Sequence, residues 1–571
     1  MWRQQRATGL ALAVMFLVSC AKSAVEAPVA SPVDAAQEAK SGEIVLTGTR
    51  VPPASVSQRA DSLAMIAPPP PPPPPPPMAP GMYVPQNWSP PYHDVGRDKF
   101  THVDENPFKI AQEAPVSTFS IDVDTASYSW VRASLNQNVL PQPASVRTEE
   151  MVNYFPYDYA APRSKEQPFA TNVTIMPSPW SAGRKLIRIG IKGYSVTPAA
   201  RSRTNLVFLI DTSGSMQEPN KLPLVKQSLE MLLDKLAPTD TVAIVTYAGN
   251  AGTALEPTMA REKRKIEAVI DSLGAGGSTA GAEGIRQAYA LAEANLDPHG
   301  VNRVILATDG DFNVGITDQE ELKGYIERER EKGVFLSVLG YGMGNYNDAL
   351  MQVLAQNGNG TAAYIDTLSE ARKTLVEEAG STLFPIAKDV KIQVEFNPAT
   401  VAEYRLIGYE TRALNRGDFD NDKVDAGDVG SGQTVTAMYE IVPVGGPRTM
   451  SDLRYSVPAR SIACSRGEYG FVKIRYKLPK SNTSRLISTP VGRGVEVASL
   501  AAAPQDARFA AAVTGFAELL RGGKYSGTLT YDDVLKLAAS ARGKDEFGYR
   551  SEFMQLVRAA KSARTLAKLE E

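Results

Sequence analysis

From Asn205 onward, apolar positions fall in short unbroken runs separated by helix-length amphipathic stretches. Residues 206–210 form a continuous apolar run, as expected of a parallel strand covered on both faces. The spacing then predicts helices over 221–236, 261–273, 282–294, 318–332, 348–356 and 368–378. Between them it predicts strands over 241–247, 303–307, 334–339 and 362–365. Strands alternating with helices build a doubly wound, Rossmann-like α/β sheet.

The pattern differs on either side. Residues 169–176 and 185–191 alternate apolar with polar, which predicts half-buried strands. Residues 118–130 read as a strand followed by a helix, and 147–154 as a second helical stretch. After Pro385 strands dominate again, over 390–396, 404–409, 434–441 and 469–476, as in a β-sandwich. Because strands of one character lie before Asn205 and after Pro385, the α/β unit is expected to be inserted into the β unit. Two strand groups in separate sheets would overturn that expectation. The tail, over 507–520, 531–541 and 547–568, is helical by pattern.

Composition changes the picture at the N-terminus. Arg3 and Arg6 precede an apolar run over 10–18 that is too short for a lasting transmembrane helix. Leu17-Val18-Ser19-Cys20 follows and resembles the bacterial lipobox, in which cleavage precedes a cysteine that is then lipidated. The resemblance implies a signal peptide over 1–19 and a lipid anchor on Cys20. It also implies localisation to the bacterial cell envelope, on its periplasmic or surface-facing side. Ala21, in place of the Asp associated with inner-membrane retention, suggests the outer membrane. Residues 20–92 are rich in Ala, Pro, Ser and Val, and are expected to form a disordered spacer. The ten prolines at 68–77 would make a polyproline II rod of roughly 30 Å. Glu43 to Arg50 resembles a short segment near the start of many TonB-dependent receptors, but no barrel-like series of strands follows.

Over 571 residues the net charge is −2, which argues against nucleic acid as a partner and leaves the anchor as the only membrane attachment. Two cysteines and three histidines exclude a disulfide framework or a Cys/His zinc site. Any metal must therefore be held by oxygen.

Three loops supply such oxygens: Asp211-Thr212-Ser213-Gly214-Ser215, Gly276-Gly277-Ser278-Thr279 and Thr308-Asp309-Gly310. The first and third directly follow predicted strands. In a doubly wound sheet, loops leaving the carboxyl ends of central strands converge on one crevice. Asp211, Ser213, Ser215, Thr279 and Asp309 are thus expected to meet there. Two carboxylates and three hydroxyls suit Mg²⁺, with Mn²⁺ or Ca²⁺ as substitutes. Alternate side chains of the first loop would point inward, with Gly214 allowing the turn. A cation with few charged ligands stays under-neutralised and favours an incoming carboxylate.

These residues resemble the metal-ion-dependent adhesion site of von Willebrand factor type A (VWA) domains, in family order and spacing from Asn205 to about Pro385. The resemblance implies a binding protein, not an enzyme, that captures an Asp or Glu of a protein partner through the cation. The segments 118–128, 149–157 and 547–553 look like regions of one group of bacterial VWA lipoproteins. The implied domains are an N-terminal VWA-associated region (93–200), the VWA domain (201–384), a β-rich domain (385–495) and a helical C-terminal region (496–571). The alternative is a structural or assembly scaffold of the envelope that needs no metal.

Asp122-Val123-Asp124-Thr125 also fits the nucleophile motif of haloacid-dehalogenase-type phosphotransferases. That motif needs a buried strand before it, whereas residues 118–121 alternate as in a half-exposed one. The two acids are expected to cap the following helix instead. Asp418, Asp420 and Asp422 hint at a calcium loop, but Lys423 and Val429 stand where Gly and a bidentate Glu are required, leaving a solvated acidic turn. Cys464 is expected in a core, and His93, His102 and His299 form no catalytic arrangement.

Overall fold

The computed structural model describes residues 98–121, 124–197, 201–277, 281–310, 319–451 and 467–570. The expected signal peptide, Cys20 and the proline rod lie outside the described residues, as do His93, Asp122, Thr279 and Cys464.

The Thr204–Asp211 strand is buried at every position, and so is Val301–Thr308 beside it. They are central in a six-stranded sheet ordered Ala362–Ile365, Val334–Tyr341, Val301–Thr308, Thr204–Asp211, Thr241–Tyr247, Ala251–Met259. Neighbours run parallel except the last, which is antiparallel to Thr241–Tyr247. Successive side chains of one strand feed opposite cores. Val207 and Leu209 pack toward Ile285, Tyr289 and Leu350, while Leu206, Phe208 and Ile210 pack toward Val225, Leu229 and Ile266. Burying each such side chain stabilises the fold by about 1.5–3 kcal/mol, so the unbroken apolar run specifies a strand sandwiched between helices. The chain moves from Thr204–Asp211 to one side, then returns to Val301–Thr308 on the other. The crevice at that reversal lies at their carboxyl ends.

The flanking strands from before and after this unit share sheets. Lys185–Gly193 pairs antiparallel with both Phe169–Pro177 and Thr434–Pro443. Val116–Ser120 pairs antiparallel with Pro385–Phe396. One sheet runs Lys109–Ile110, Val401–Ile407, Thr434–Pro443, Lys185–Gly193, Phe169–Pro177. The other runs Ala413–Leu414, Val116–Ser120, Pro385–Phe396, Glu468–Lys477, Ser484–Gly492, with Val429–Gly430 off its path. Ile187, Ile189 and Tyr439 of the first meet Phe119, Ile392 and Ile474 of the second in one core. The α/β unit therefore interrupts the chain of a β-sandwich.

Three helices close the chain: Gln505–Leu520, Tyr531–Ser540 and Tyr549–Glu570. Phe509, Phe516 and Phe553 pack there against Tyr154 and Phe155, which follow the Thr148–Asn153 helix. Among the described residues no helix is long and apolar enough to cross a membrane.

Two arginines join the units. Arg132, on the Ala126–Asn136 helix, donates to Asp366 Oδ2 at 2.8 Å, Glu370 Oε2 at 2.7 Å, Glu552 Oε1 at 3.1 Å and the Tyr154 hydroxyl at 2.9 Å. Arg147 Nη1 donates to Asp348 Oδ2 at 2.6 Å, and its Nη2 to Glu150 Oε2 at 3.1 Å.

Candidate metal centre

The Thr204–Asp211 strand ends on a carboxylate with no exposure at all. Asp211 Oδ1 accepts from the Ser213 N–H at 2.9 Å. Its Oδ2 accepts from the Tyr247 hydroxyl at 3.1 Å and the Thr308 hydroxyl at 3.2 Å. The chain turns at Ser213, and the Ser213 and Ser215 hydroxyls come to lie 3.1 Å apart. Met216 beneath them is fully buried and pins the turn to the core, while Gly214 and Ser215 remain exposed. The centre thus has a buried carboxylate floor and a hydroxyl rim open to solvent.

The second loop is laced to the first. Gly276 N–H donates to the Thr212 carbonyl at 2.8 Å, and Gly214 N–H donates to the Gly277 carbonyl at 3.1 Å. Thr279 follows Gly277 by two residues, outside the described residues. Gly214 itself is not in the left-handed region, and a Cβ added there would sit 3.6 Å from the Gly277 carbonyl, ordinary contact. The turn therefore does not depend on glycine at 214, contrary to the sequence expectation, because Ser213 and Ser215 bracket it with ordinary backbone angles.

The third loop does need its glycine. Gly310 has φ +97, and a Cβ there would come within 2.7 Å of the Asn347 nitrogen and the Tyr346 Cα. Its N–H donates to the Thr308 hydroxyl at 3.2 Å, which orients that hydroxyl toward Asp211. Asp309 is fully buried, and its Oδ2 accepts from Lys221 Nζ at 3.0 Å.

Burial holds the Asp211 carboxyl above its ordinary range, the bonds from Ser213 pull it down, and the like charge of Asp309 pushes it up again. Burial and the Asp211 charge likewise keep the Tyr247 phenol protonated, so it remains a donor. Four of the five residues expected from sequence are brought together. Their donors are oxygen throughout, and two nearby carboxylates repel one another. That set fits a hard divalent cation such as Mg²⁺, which takes oxygen ligands and tolerates few charged ones. No group of three or more His, Cys, Asp or Glu side chains suited to a metal occurs among the described residues.

Two participants were not singled out from sequence. Tyr247 ends the strand parallel to Thr204–Asp211, in register with Asp211. Lys221 opens the Leu222–Leu233 helix. A lysine at a helix N-terminus opposes the helix dipole, and that mismatch was the available signal.

The competing motif resolves differently. The strand before it, Val116–Ser120, is covered on both faces rather than half-exposed, because Thr118 and Ser120 lie under neighbouring segments. Thr118 Oγ1 accepts from Gln393, and Ser120 Oγ from the Gly427 N–H. Yet the strand is antiparallel to its neighbours, outside the α/β sheet. Nor does Asp124 cap the next helix: it accepts from the Ala362 N–H at 2.8 Å and from Arg412 at 2.9 Å. The helix receives its N-terminal acceptor from Glu150, whose Oε2 takes the Ser127 N–H at 2.8 Å. A cavity of about 740 Å³ beside Asp124, Arg303 and Asp428 is lined by none of Asp211, Ser213, Ser215 or Asp309. In the acidic turn, Asp418 forms a capping box with Asn415, Asp422 pairs with Arg475, and Asp420 points to solvent. His102 and His299 lie far apart in sequence, beside Asp104 and Asp297.

Family models match in three consecutive stretches. Residues 94–188 match "von Willebrand factor", 205–378 match "von Willebrand factor type A domain", and 381–563 match "Uncharacterized protein YfbK, C-terminal". The chain is 44% identical over 473 residues to YfbK of Escherichia coli, covering 81% of each chain. It is 24% identical over 323 residues to the protein sll0103 of Synechocystis, covering 55% of this chain and 71% of that one. Among solved structures, a von Willebrand factor type A protein from Catenulispora acidiphila aligns over 69% of this chain and 91% of its own, at 16% identity and a TM-score of 0.38.

Proposed function

The chain belongs to the family of VWA-domain proteins that includes YfbK of Escherichia coli, and we propose that it is an envelope-anchored protein that binds a partner through a divalent cation. Asp211, Ser213, Ser215, Thr279 and Asp309 would hold the cation. When bound, the cation supplies a Lewis-acidic position that accepts an Asp or Glu carboxylate of the partner. The protein's own residues do the rest. Tyr247 and Thr308 fix the Asp211 carboxylate, and the exposed Ser215 rim leaves a way in. The observation that carries this reading is the Asp211 carboxylate: it is fully buried and, among the described residues, meets only hydroxyl and N–H donors, beside two hydroxyls 3.1 Å apart.

Binding, rather than catalysis, is the reading that the donor set favours, since hard oxygen ligands with few charges would leave a cation ready for an incoming carboxylate. The anchor belongs to the same proposal, with Cys20 as the lipidated residue and residues 21–92 as a spacer. Replacing Cys20 by Ser should release the protein from membranes. For the centre, Mn²⁺ titrated into the full chain should bind one ion per chain, and Asp211→Ala should abolish that binding while circular dichroism stays unchanged. Equal binding by both chains rejects the proposal. A scaffold role is the second reading, favoured by the buried Arg132 and Arg147 clusters that fix the α/β unit to its flanks. In that case the Asp211→Ala strain would keep its envelope phenotype intact.

A further inference from the structure

We infer that Lys221 sets both how tightly the centre holds its cation and how strongly the loaded centre attracts a carboxylate. The inference rests on the metal-binding reading above and deepens it.

Lys221 is placed with care. It precedes the Leu222–Leu233 helix and its backbone makes a sharp turn, φ −120 and ψ −114. Its side chain is only 6% exposed. The alkyl stem crosses Gly342, which has φ +73. A Cβ at that position would lie 2.3 Å from the lysine Cε and 2.8 Å from its Cγ. The missing side chain at 342 is thus the channel through which the stem passes. The ammonium ends 3.0 Å from Asp309 Oδ2. A cation at a helix N-terminus faces an unfavourable dipole, so this placement costs energy that the pair with Asp309 must offset.

Charge counting gives the consequence. Asp211 and Asp309 bring two negative charges, and Lys221 removes one of them. A divalent ion then leaves the centre with net charge +1 rather than zero. The ion is held less tightly than two carboxylates alone would hold it, and the loaded centre remains a strong acceptor for one more carboxylate. Lys221 therefore weakens the hold on the cation and strengthens the loaded centre's hold on a carboxylate, so that at a given carboxylate concentration the two ligands support each other more, equally in both directions by linkage.

The test uses the full chain, Mn²⁺ as the ion, electron paramagnetic resonance of free Mn²⁺ as the readout, and acetate as the carboxylate probe. In the wild-type chain acetate should tighten Mn²⁺ binding. Lys221→Met keeps the stem over Gly342 without the charge, and it should bind Mn²⁺ at least about tenfold tighter while losing most of the acetate effect. Lys221→Gln, which retains a donor for Asp309, should behave the same way. Lys221→Arg, which retains the charge, should stay within about threefold of wild type. Circular dichroism identifies the folded variants, and one folded neutral variant suffices. A folded neutral variant with unchanged or weaker Mn²⁺ binding overturns the inference alone. No acetate effect in the wild-type chain also overturns it. Absence of Mn²⁺ binding in the wild-type chain, or equal binding by Asp211→Ala, overturns the metal centre and the inference with it.

Discussion

Two buried clusters of charge lie in the same chain and are built differently. At the joint between the α/β unit and its flanks, Asp366, Glu370 and Glu552 all meet one guanidinium, Arg132, and Asp348 and Glu150 meet another, Arg147. At the crevice, among the described residues, Asp211 meets hydroxyls and an N–H, and Asp309 meets an ammonium. A guanidinium offers five donors in a rigid fork and fixes the carboxylates around it. Hydroxyls can turn, and as ligands they add no charge to a cation. The joint is therefore held by fixed ion pairs, whereas on the proposed reading the crevice keeps its donors for a cation.

Removing the fork is the hardest blow to that contrast. Arg132→Met leaves Asp366 and Glu370 buried without their guanidinium, and should cost about 3–5 kcal/mol in chemical denaturation; a loss under about 1 kcal/mol would make the joint no different from a surface pair. Asp211→Ala should do the opposite. Mn²⁺ affinity should fall at least about a hundredfold by the same titration, with a stability change in metal-free buffer of about 1 kcal/mol or less, since a repelled buried carboxylate is removed along with its bonds. A large destabilisation there would show that the crevice too is structural.

Glu149, next to the joint's Glu150, sharpens the comparison. Burial, then Glu410, then Glu150 raise its carboxyl to about 7, and its Oε2 has no hydrogen-bond partner. The folded form therefore holds a proton that the unfolded chain releases near its ordinary value of 4.5. Its stabilising effect is full below that value and is lost as pH rises toward 7. Glu149→Gln should flatten stability across that window and gain on the order of 1–3 kcal/mol at pH 8; an unchanged slope would mean that the carboxylate finds compensation. The smallest effect belongs to the acidic turn. Asp420 is 80% exposed, 3.5 Å from Arg475. Asp420→Asn should change stability by about 0.5 kcal/mol or less in the same denaturation series.

The α/β sheet was legible because its strands carry unbroken apolar runs and its crevice loops follow them directly, so Asp211 and Asp309 could be placed from sequence. Two edge strands were not, although the edges Ala362–Ile365 and Phe169–Pro177 were read within a residue of their bounds. Ala251–Met259 contains Gly252 and Pro257, and Ser484–Gly492 contains Pro490, residues that suppress the strand pattern and are tolerated only where one side lacks a partner. The chain from 368 was expected as one helix, yet it splits into Leu368–Arg372, a π turn at Lys373–Glu377 and Ala379–Leu383. A wider turn leaves little trace in apolar spacing. Asp124 was misread because its partners, Ala362 and Arg412, stand more than two hundred positions away. Lys221 escaped for the same reason: the Asp309 it serves lies 88 residues on.

The shared sheets of the sandwich have a consequence for synthesis. Thr118 meets Gln393 across 275 residues. At about 5–20 residues per second, a strand leaving the ribosome would wait about 14–55 s for its neighbour. During that interval the whole α/β unit is made while the early strands keep bare edges. Nascent chains caught in that window should be the ones most prone to aggregate or to demand a holding chaperone, and slowing elongation past residue 205 should lengthen the hazard.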